Sequence, residues 1–212
     1  MSTVTVPSQR PSGSRMDRDM VVQPGWVRVA HWLNALGAIL MVMSGWRIYN
    51  ASPLFAFRFP DSITLGGWLG GALQWHFAAM WLLGVNGLIY LLLNLLTGRV
   101  RSRFWPLSPR QLVSDFGAAL RGHLSHDDPS RYNAVQKAAY VGAVVLLVLM
   151  VLSGLVLWKS VQFPWLRALL GGYDTARLVH FLAMCGLVFF FLVHVTMVAL
   201  VPRTLRLMIL GR

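Results

Sequence analysis

Four apolar runs, each long enough to cross a lipid bilayer, constrain this chain more than any other feature of its sequence. A membrane-spanning helix needs about 20 mostly apolar residues, and it satisfies its backbone polar groups internally. Hydrophobic residues make up 56% of the 212 residues and charged residues only 12%, which is unlike a soluble domain. We predict an all-α integral membrane four-helix bundle within residues 24–212, after a disordered tail in residues 1–23. The predicted spans are residues 25–46, 73–97, 138–158 and 178–201.

The net charge of +12 follows the predicted topology rather than a surface for nucleic acid. Fourteen of the 19 lysines and arginines lie before or at the start of the first span, between the second and third spans, or after the fourth. Basic residues concentrate on the cytoplasmic side of membrane proteins, so both termini and the middle connection are predicted to be cytoplasmic. We therefore predict a multi-pass membrane protein, with lipid headgroups and no nucleic acid as its charged partners.

Four histidines lie inside the predicted spans. His180 and His194 share the fourth span, and 14 residues separate them, which puts them on nearly the same helix face about 21 Å apart. In the predicted topology, His76 lies at the outer level with His180, and His31 lies at the inner level with His194. An imidazole in hydrocarbon is costly unless it is ligated or hydrogen-bonded. Two facing imidazoles at one depth suit bis-histidine ligation, which predicts an outer haem iron between His76 and His180 and an inner one between His31 and His194.

Small residues accompany this pattern. Gly45 lies 14 residues after His31, and Gly87 lies 11 residues after His76. Each single-histidine helix therefore offers a ligand at one level and room for a macrocycle at the other. We interpret two further pairs of small residues as packing positions that let helices or the outer haem edge come close, namely Ser44-Gly45 and Ser153-Gly154.

Two arginines lie one helical turn before a predicted ligand. Arg28 precedes His31 by three residues and Arg177 precedes His180 by three. A guanidinium binds carboxylates in a bidentate manner, so these arginines are candidates for haem propionate contacts, and interfacial anchoring is the alternative. The only cysteine, Cys185, excludes a Cys-x-x-Cys-His attachment, so the predicted haems are non-covalent.

The segments around these histidines resemble those of bacterial cytochrome b561 proteins and of the b-type cytochrome subunits of nickel-iron hydrogenases and formate dehydrogenases. The resemblance implies an integral four-helix protein with two non-covalent b haems, both ligated by the fourth helix. It also implies electron transfer between an extracytoplasmic redox partner and the membrane quinone pool. The resemblance covers about residues 24–210 and is carried by Arg-Val-Ala-His-Trp-Leu-Asn around His31, Trp-His-Phe around His76, Tyr-Asn-Ala-Val-Gln-Lys at 132–137, and the pair His180 and His194.

The same resemblance implies a quinone site beside the inner haem, at the cytoplasmic start of the third helix. Asn133 and Gln136 would lie near a quinone carbonyl there, directly or through water, with Lys137 close by. The alternative is a polar helix start in which Asn133 is the N-cap.

Several partners and functions are compatible with the resemblance. The redox partner could be a periplasmic or membrane-attached molybdenum oxidoreductase, a hydrogenase or a thiosulfate reductase, and a homo-oligomer is also compatible. The chain carries no nucleotide-binding loop and no iron–sulfur spacing, so we interpret it as an electron-transfer subunit. Two alternatives stay open: a stand-alone oxidoreductase of the cytochrome b561 type, such as a superoxide oxidase that reduces quinone, and a haem-free membrane transporter or assembly factor.

Overall fold

The computed structural model of the protein describes residues 24–97 and 134–211, and every regular element in these ranges is helical. A short 3-10 turn at Asp61–Ile63 lies between the first two helices. The predicted tail and the middle connection fall outside the described residues. In chain order the helices are α1 (Gly25–Ala51), α2 (Leu69–Leu96), α3 (Ala134–Trp158), α4 (Pro164–Leu169), α5 (Tyr173–Leu200) and α6 (Pro202–Leu210).

Four of these helices confirm the predicted spans. α1, α2, α3 and α5 are long and apolar enough to cross a membrane by length and composition. Their 25 to 28 residues correspond to about 40 Å, which exceeds a hydrocarbon core of about 30 Å. The extra turns contain polar residues, such as Asn50 in α1 and Asp174 in α5. These residues lie outside the apolar runs from which the spans were predicted. The helices therefore extend beyond the predicted spans at several ends.

Proline and glycine set several helix boundaries. Pro202 has no N–H and restricts the residue before it, so α5 ends at Leu200 and α6 begins with proline in its first turn. Gly211 closes α6 with a left-handed cap at φ 82°. The link between α4 and α5 uses Gly171 and Gly172, at φ 76° and 100°. The two short helices, α4 and α6, were not predicted, because six and nine residues are too few to form a spanning run.

The long helices pack as two antiparallel pairs, which we call hairpin A (α1 and α2) and hairpin B (α3 and α5). Most contacts between the described helices lie within these pairs. In hairpin A, a Cβ added at Gly37 would stand 2.7 Å from Cδ2 of Leu83. In hairpin B, a Cβ added at Gly186 would stand 3.0 Å from Cδ2 of Leu146. A glycine against a leucine therefore lets the two backbones of each hairpin come close.

Ring contacts connect the two hairpins. Tyr49 of α1 stacks on Phe181 of α5 with ring centroids 5.1 Å apart, and Phe77 of α2 lies 5.3 Å from Trp158 of α3. Within the described residues, no helix of one hairpin packs as closely on the other hairpin as it does on its own partner. The fold thus consists of two tight pairs that meet loosely.

The connection between α1 and α2, residues 52–68, folds back over the end of α1. The Asn50 side chain donates to the Phe59 carbonyl oxygen at 2.7 Å and accepts from the Phe59 N–H at 2.9 Å. Arg47 forms an ion pair with Asp61 and donates to the carbonyl oxygen of Gly67. These bonds hold an aromatic connection against the end of hairpin A at which α1 ends and α2 begins.

Candidate functional site

The four intramembrane histidines meet in two pairs at different depths. The rings of His31 on α1 and His194 on α5 have centroids 6.0 Å apart. His76 on α2 and His180 on α5 form the second pair, at the level where the next residues, Phe77 and Phe181, contact Trp158 and Tyr49 of the opposite hairpin. Each pair takes one histidine from hairpin A and one from hairpin B. The structure therefore brings together the same pairs that the sequence predicts. Following the predicted topology, we call His31 and His194 the inner pair and His76 and His180 the outer pair.

The inner pair has a separation that suits axial ligation of one metal. A bond of about 2 Å from each ring nitrogen to the metal, with about 1.2 Å from that nitrogen to the ring centroid, gives about 6.4 Å between centroids. The observed value is 6.0 Å, and the rings are inclined at 58°. This inclination is allowed because each ring can rotate about its own bond to the metal. His31 and His194 thus fit a haem held between the hairpins.

A buried serine holds His76 in hairpin A. Ser44 is fully buried, and its Oγ lies 2.6 Å from the Leu40 carbonyl oxygen and 3.0 Å from Nδ1 of His76. A carbonyl oxygen only accepts, so the single hydroxyl proton of Ser44 is donated to Leu40. The Oγ then accepts from the Nδ1–H of His76. This arrangement leaves Nε2 of His76 unprotonated and able to ligate a metal.

Hairpin B repeats this arrangement around His180. Ser153 is also fully buried, and its Oγ lies 2.6 Å from the Leu149 carbonyl oxygen and 2.9 Å from Nδ1 of His180. The same proton count assigns the Nδ1–H tautomer to His180 and leaves its Nε2 free. Both members of the outer pair therefore have the tautomer that a haem iron requires.

The inner pair has different surroundings. His31 makes an edge contact with Trp32, with ring centroids 5.5 Å apart, and His194 stacks on Phe190 at 6.1 Å. Within the described ranges, no hydrogen bond to either ring is present. The nearest polar cluster ties α2 to α1 instead: Asn86 donates to the Ala30 carbonyl oxygen at 2.8 Å and to Oδ1 of Asn34 at 2.7 Å.

Three glycines lie beside the predicted haem levels. A Cβ added at Gly45 would stand 3.5 Å from Cε1 of His76, and one added at Gly154 would stand 3.3 Å from Cε1 of His180. A Cβ added at Gly87 would meet nothing within 4 Å. Gly45 therefore lies at the outer level, as predicted, and Gly87 has open space in front of it.

The two predicted propionate ligands differ in their contacts. Arg28 donates from Nη1 to the Ile209 carbonyl oxygen at 2.6 Å, and Trp32 donates from Nε1 to the Met208 carbonyl oxygen at 3.3 Å. Arg28 thus joins the last turn of α6 to the start of α1, a contact that the sequence analysis did not predict. Arg177 is half-buried in the first turns of α5, and its propionate role stays a prediction.

The predicted quinone residues lie at the edge of the described structure. Asn133 falls outside the described residues. Gln136 and Lys137 lie in the first turn of α3, which begins at Ala134. Their role stays a prediction.

Sequence reasoning missed the role of the two serines, which it interpreted as packing positions. A signal was present, because Val-Met-Ser-Gly at 42–45 and Val-Leu-Ser-Gly at 151–154 occur once in each hairpin. Each of these segments is paired with a His-Phe dipeptide, at 76–77 and at 180–181. The two serines therefore belong to a sequence repeat, and its significance is evident only when the structures of the two hairpins are compared.

Apolar helices in two hairpins, with histidines that meet in pairs between them, define a helical membrane protein suited to metal cofactors. The chain belongs to the prokaryotic cytochrome b561 family, whose family model matches residues 22–211. It is a multi-pass membrane cytochrome of the b561 type, and membership of this family implies that it binds haem b.

Two relatives are informative. The chain is 63% identical over 190 residues to a putative protein-methionine-sulfoxide reductase subunit, YedZ1, of Azospira oryzae, an alignment that covers 90% of this chain and 96% of that one. It is 26% identical over 186 residues to a probable Ni/Fe-hydrogenase B-type cytochrome subunit of Bradyrhizobium diazoefficiens, covering 80% of this chain and 73% of that one. No solved structure matches the chain. Both relatives are named as subunits of redox enzymes, which supports a redox partner for this chain.

Proposed function

We propose that this protein is a di-haem b-type cytochrome of the bacterial inner membrane, which passes electrons between the quinone pool and an extracytoplasmic redox partner. The observation that carries the proposal is the contact of His31 with His194 across the two hairpins, together with His76 and His180 at a second level, where the neighbouring Phe77 and Phe181 also contact the opposite hairpin. His31 and His194 would hold the proposed inner haem, and His76 and His180 would hold the proposed outer haem. Arg28 and Arg177 remain the proposed propionate contacts.

Haem supplies one-electron redox chemistry when it is bound, and the chain supplies the ligands, their orientation and the exclusion of water. Ser44 and Ser153 fix which ring nitrogen of the outer histidines is free. α5 carries one histidine of each pair, 14 residues apart, so a single rigid helix sets the distance between the two levels at about 21 Å.

We place the proposed quinone site at the start of α3, on Asn133, Gln136 and Lys137. Gln136 and Ser153 both lie in α3, and 17 residues separate them. This separation corresponds to about 25 Å along the helix. His194 lies about 21 Å from the outer level on α5. The similar depth of Gln136 and His194 supports a quinone head group near the inner pair.

We infer that the partner is an extracytoplasmic reductase of protein-bound methionine sulfoxide. The support is the 63% identity to the Azospira subunit over 96% of its length. In this direction a quinol supplies two electrons and two protons, and reduction of one sulfoxide to a thioether and water consumes the same number. The connection 52–68 is the proposed docking surface, because its exposed Phe55 and Phe57 lie against Phe181, the residue after His180.

The proposal is tested first by haem content. A pyridine haemochrome assay on fully loaded protein should give two haems per chain, and acid-acetone should extract both. One haem per chain would contradict the paired assignment, and haem retained after extraction would contradict the b type.

The partner is tested by reoxidation of the reduced protein in nanodiscs. A methionine sulfoxide reductase from the periplasm of the same organism, together with an oxidised protein substrate, should reoxidise the haems. The reductase alone or the substrate alone should leave them reduced. Haems that stay reduced with both components present would exclude this partner and leave the other redox partners to be tried.

A further inference from the structure

Hairpins A and B repeat one local arrangement at the outer level. Each contributes a Ser-Gly pair from its first long helix and a His-Phe pair from its second. In hairpin A these are Ser44-Gly45 and His76-Phe77, and in hairpin B they are Ser153-Gly154 and His180-Phe181. The inner level has no such repeat, since its histidines come from α1 and α5 alone.

The repeat extends to atomic distances. The serine Oγ lies 3.0 Å from the histidine Nδ1 in hairpin A and 2.9 Å in hairpin B. In both hairpins the same Oγ lies 2.6 Å from the carbonyl oxygen four residues earlier. The glycine after each serine lies beside the Cε1 of the same imidazole. A Cβ added at this glycine would stand 3.5 Å from Cε1 in hairpin A and 3.3 Å from it in hairpin B. Two hairpins with different sequences therefore present their histidines in the same way.

We infer that Ser44 and Ser153 are a matched pair of positioning residues for the outer haem, each of which holds one axial histidine by accepting its Nδ1–H and leaves Nε2 for the iron. This inference rests on the proposed function, because it takes His76 and His180 as the ligands. Neither serine touches the iron, so each acts through a histidine.

The hydroxyl, rather than the small volume of serine, is the part that acts. Both serines are fully buried, and each Oγ lies 3.0 Å or less from the Nδ1 that it faces. The hydroxyl proton of Ser44 is already donated to Leu40, so towards Nδ1 of His76 the hydroxyl can only accept. A hydroxyl tied to its own helix in this way is fixed in direction, and the imidazole plane that it holds is fixed with it.

The serines also influence the redox potential of the outer haem. A hydrogen bond from Nδ1–H to an acceptor makes the imidazole a stronger electron donor, which favours the oxidised iron. Removal of either acceptor should therefore raise the midpoint potential of the outer haem. The inner haem should be unaffected, because no serine contacts His31 or His194 in the described chain.

The test compares Ser44→Ala and Ser153→Ala in the full-length, haem-loaded protein. At a fixed applied potential, each variant should raise the ratio of reduced to oxidised outer haem by about three- to tenfold, where tenfold corresponds to about 59 mV for one electron. The low-spin ferric electron paramagnetic resonance signal of the outer haem should change as its imidazole rotates. Ser44→Thr, which keeps the hydroxyl, should restore both readouts.

Thr175→Ala is the matched control. Thr175 lies on α5 near His180, and its hydroxyl donates to the Gly171 carbonyl oxygen at 3.0 Å without a contact to an imidazole. This variant should change neither the potential nor the signal. A purely structural role for helix hydroxyls would predict similar effects from Thr175→Ala and Ser44→Ala.

Each result has one interpretation. Outer-haem potentials and signals that stay at wild-type values in both alanine variants would overturn the inference. Loss of the outer haem from Ser44→Ala supports the inference if Ser44→Thr restores haem, and contradicts it if Ser44→Thr does not. A wild-type protein with a single haem would instead overturn the proposed function, so the two failures are distinguishable.

Discussion

Four polar residues of the described helices are classed as buried, and the side chain of each is hydrogen-bonded. Ser44 and Ser153 contact histidines on neighbouring helices, Asn86 reaches α1, and Asn94 donates to the Tyr90 carbonyl oxygen at 2.7 Å. An unpaired polar group at membrane depth would cost several kcal/mol. Three of these four side chains reach across to another helix, so satisfying them also fixes which helix faces which.

Single ligand substitutions should have opposite effects at the two levels. His31→Ala should remove the inner haem and leave the outer haem present, and His76→Ala should remove the outer haem and leave the inner one. The reason is that each of these histidines serves one level only. Haem per chain by pyridine haemochrome, together with redox titration, measures the outcome.

The control for these variants is His126→Ala. His126 belongs to the middle connection of the sequence, outside the four spans that carry the proposed ligands. It should retain two haems. If His31→Ala or His76→Ala also retained both haems with unchanged spectra, the substituted histidine would not be a ligand.

Gln136→Leu tests the proposed quinone site. Leucine is close to glutamine in size and lacks the amide, so haem oxidation by added quinone should slow by about tenfold, the effect of losing one hydrogen bond of about 1.4 kcal/mol. Haem content and reduction from the outer side should be unchanged. Stopped-flow absorbance after mixing with a quinone analogue measures the rate.

Gln162→Leu is the matched control, because Gln162 is exposed in the link between α3 and α4. This variant should exchange electrons with quinone at the wild-type rate. A wild-type rate in Gln136→Leu as well would place quinone elsewhere.

The histidine pairs could be predicted from the sequence because a helix has a fixed rise and a fixed angle per residue. The serine contacts could not be predicted in the same way. Ser44 and His76 are 32 residues apart on different helices, and their contact depends on the rotation of α1 against α2. That rotation is set by close packing such as Gly37 against Leu83, which no periodicity reports.

At the scale of helices, apolar length predicted the four spans but not their ends. The connection 52–68 lies over the end of α1, where Arg47 and Asn50 hold it by hydrogen bonds that apolar length does not predict. α6 was not predicted because its nine residues are too few to form a spanning run. It is held by the Arg28 and Trp32 side chains, which bond carbonyl groups that a helix leaves unpaired at its end.

Gly37→Ala should destabilise hairpin A. The new Cβ would stand 2.7 Å from Cδ2 and 2.8 Å from Cγ of Leu83, and such overpacking costs about 1–3 kcal/mol. The melting temperature in detergent, followed by haem absorbance, should fall. Leu83 must move for the variant to fold.

Gly84→Ala is the control for this prediction. A Cβ at Gly84 meets nothing within 4 Å, so the variant should melt at or slightly above the wild-type temperature. Equal melting temperatures for Gly37→Ala and wild type would show that the close contact is relieved without cost.

At the scale of the whole molecule, the two hairpins share few direct contacts, and the histidine pairs lie between them. A ligand bound to the folded state stabilises it by mass action, by about 4 kcal/mol when its concentration is a thousand times its Kd. Protein produced without haem should therefore melt well below the loaded protein, and added haemin should restore the difference. Identical melting curves for the two forms would show that direct contacts alone hold the hairpins together.

The position of α5 has a consequence for biosynthesis. Both proposed sites need a histidine from this helix, and α5 is the last of the four spans to leave the ribosome. A nascent chain that has inserted only hairpin A and α3 contains His31 and His76 but neither of their partners. Haem delivery must therefore follow translation of nearly the whole chain, and a ribosome stalled before His180 would leave a membrane-inserted polypeptide that no supply of haem could mature.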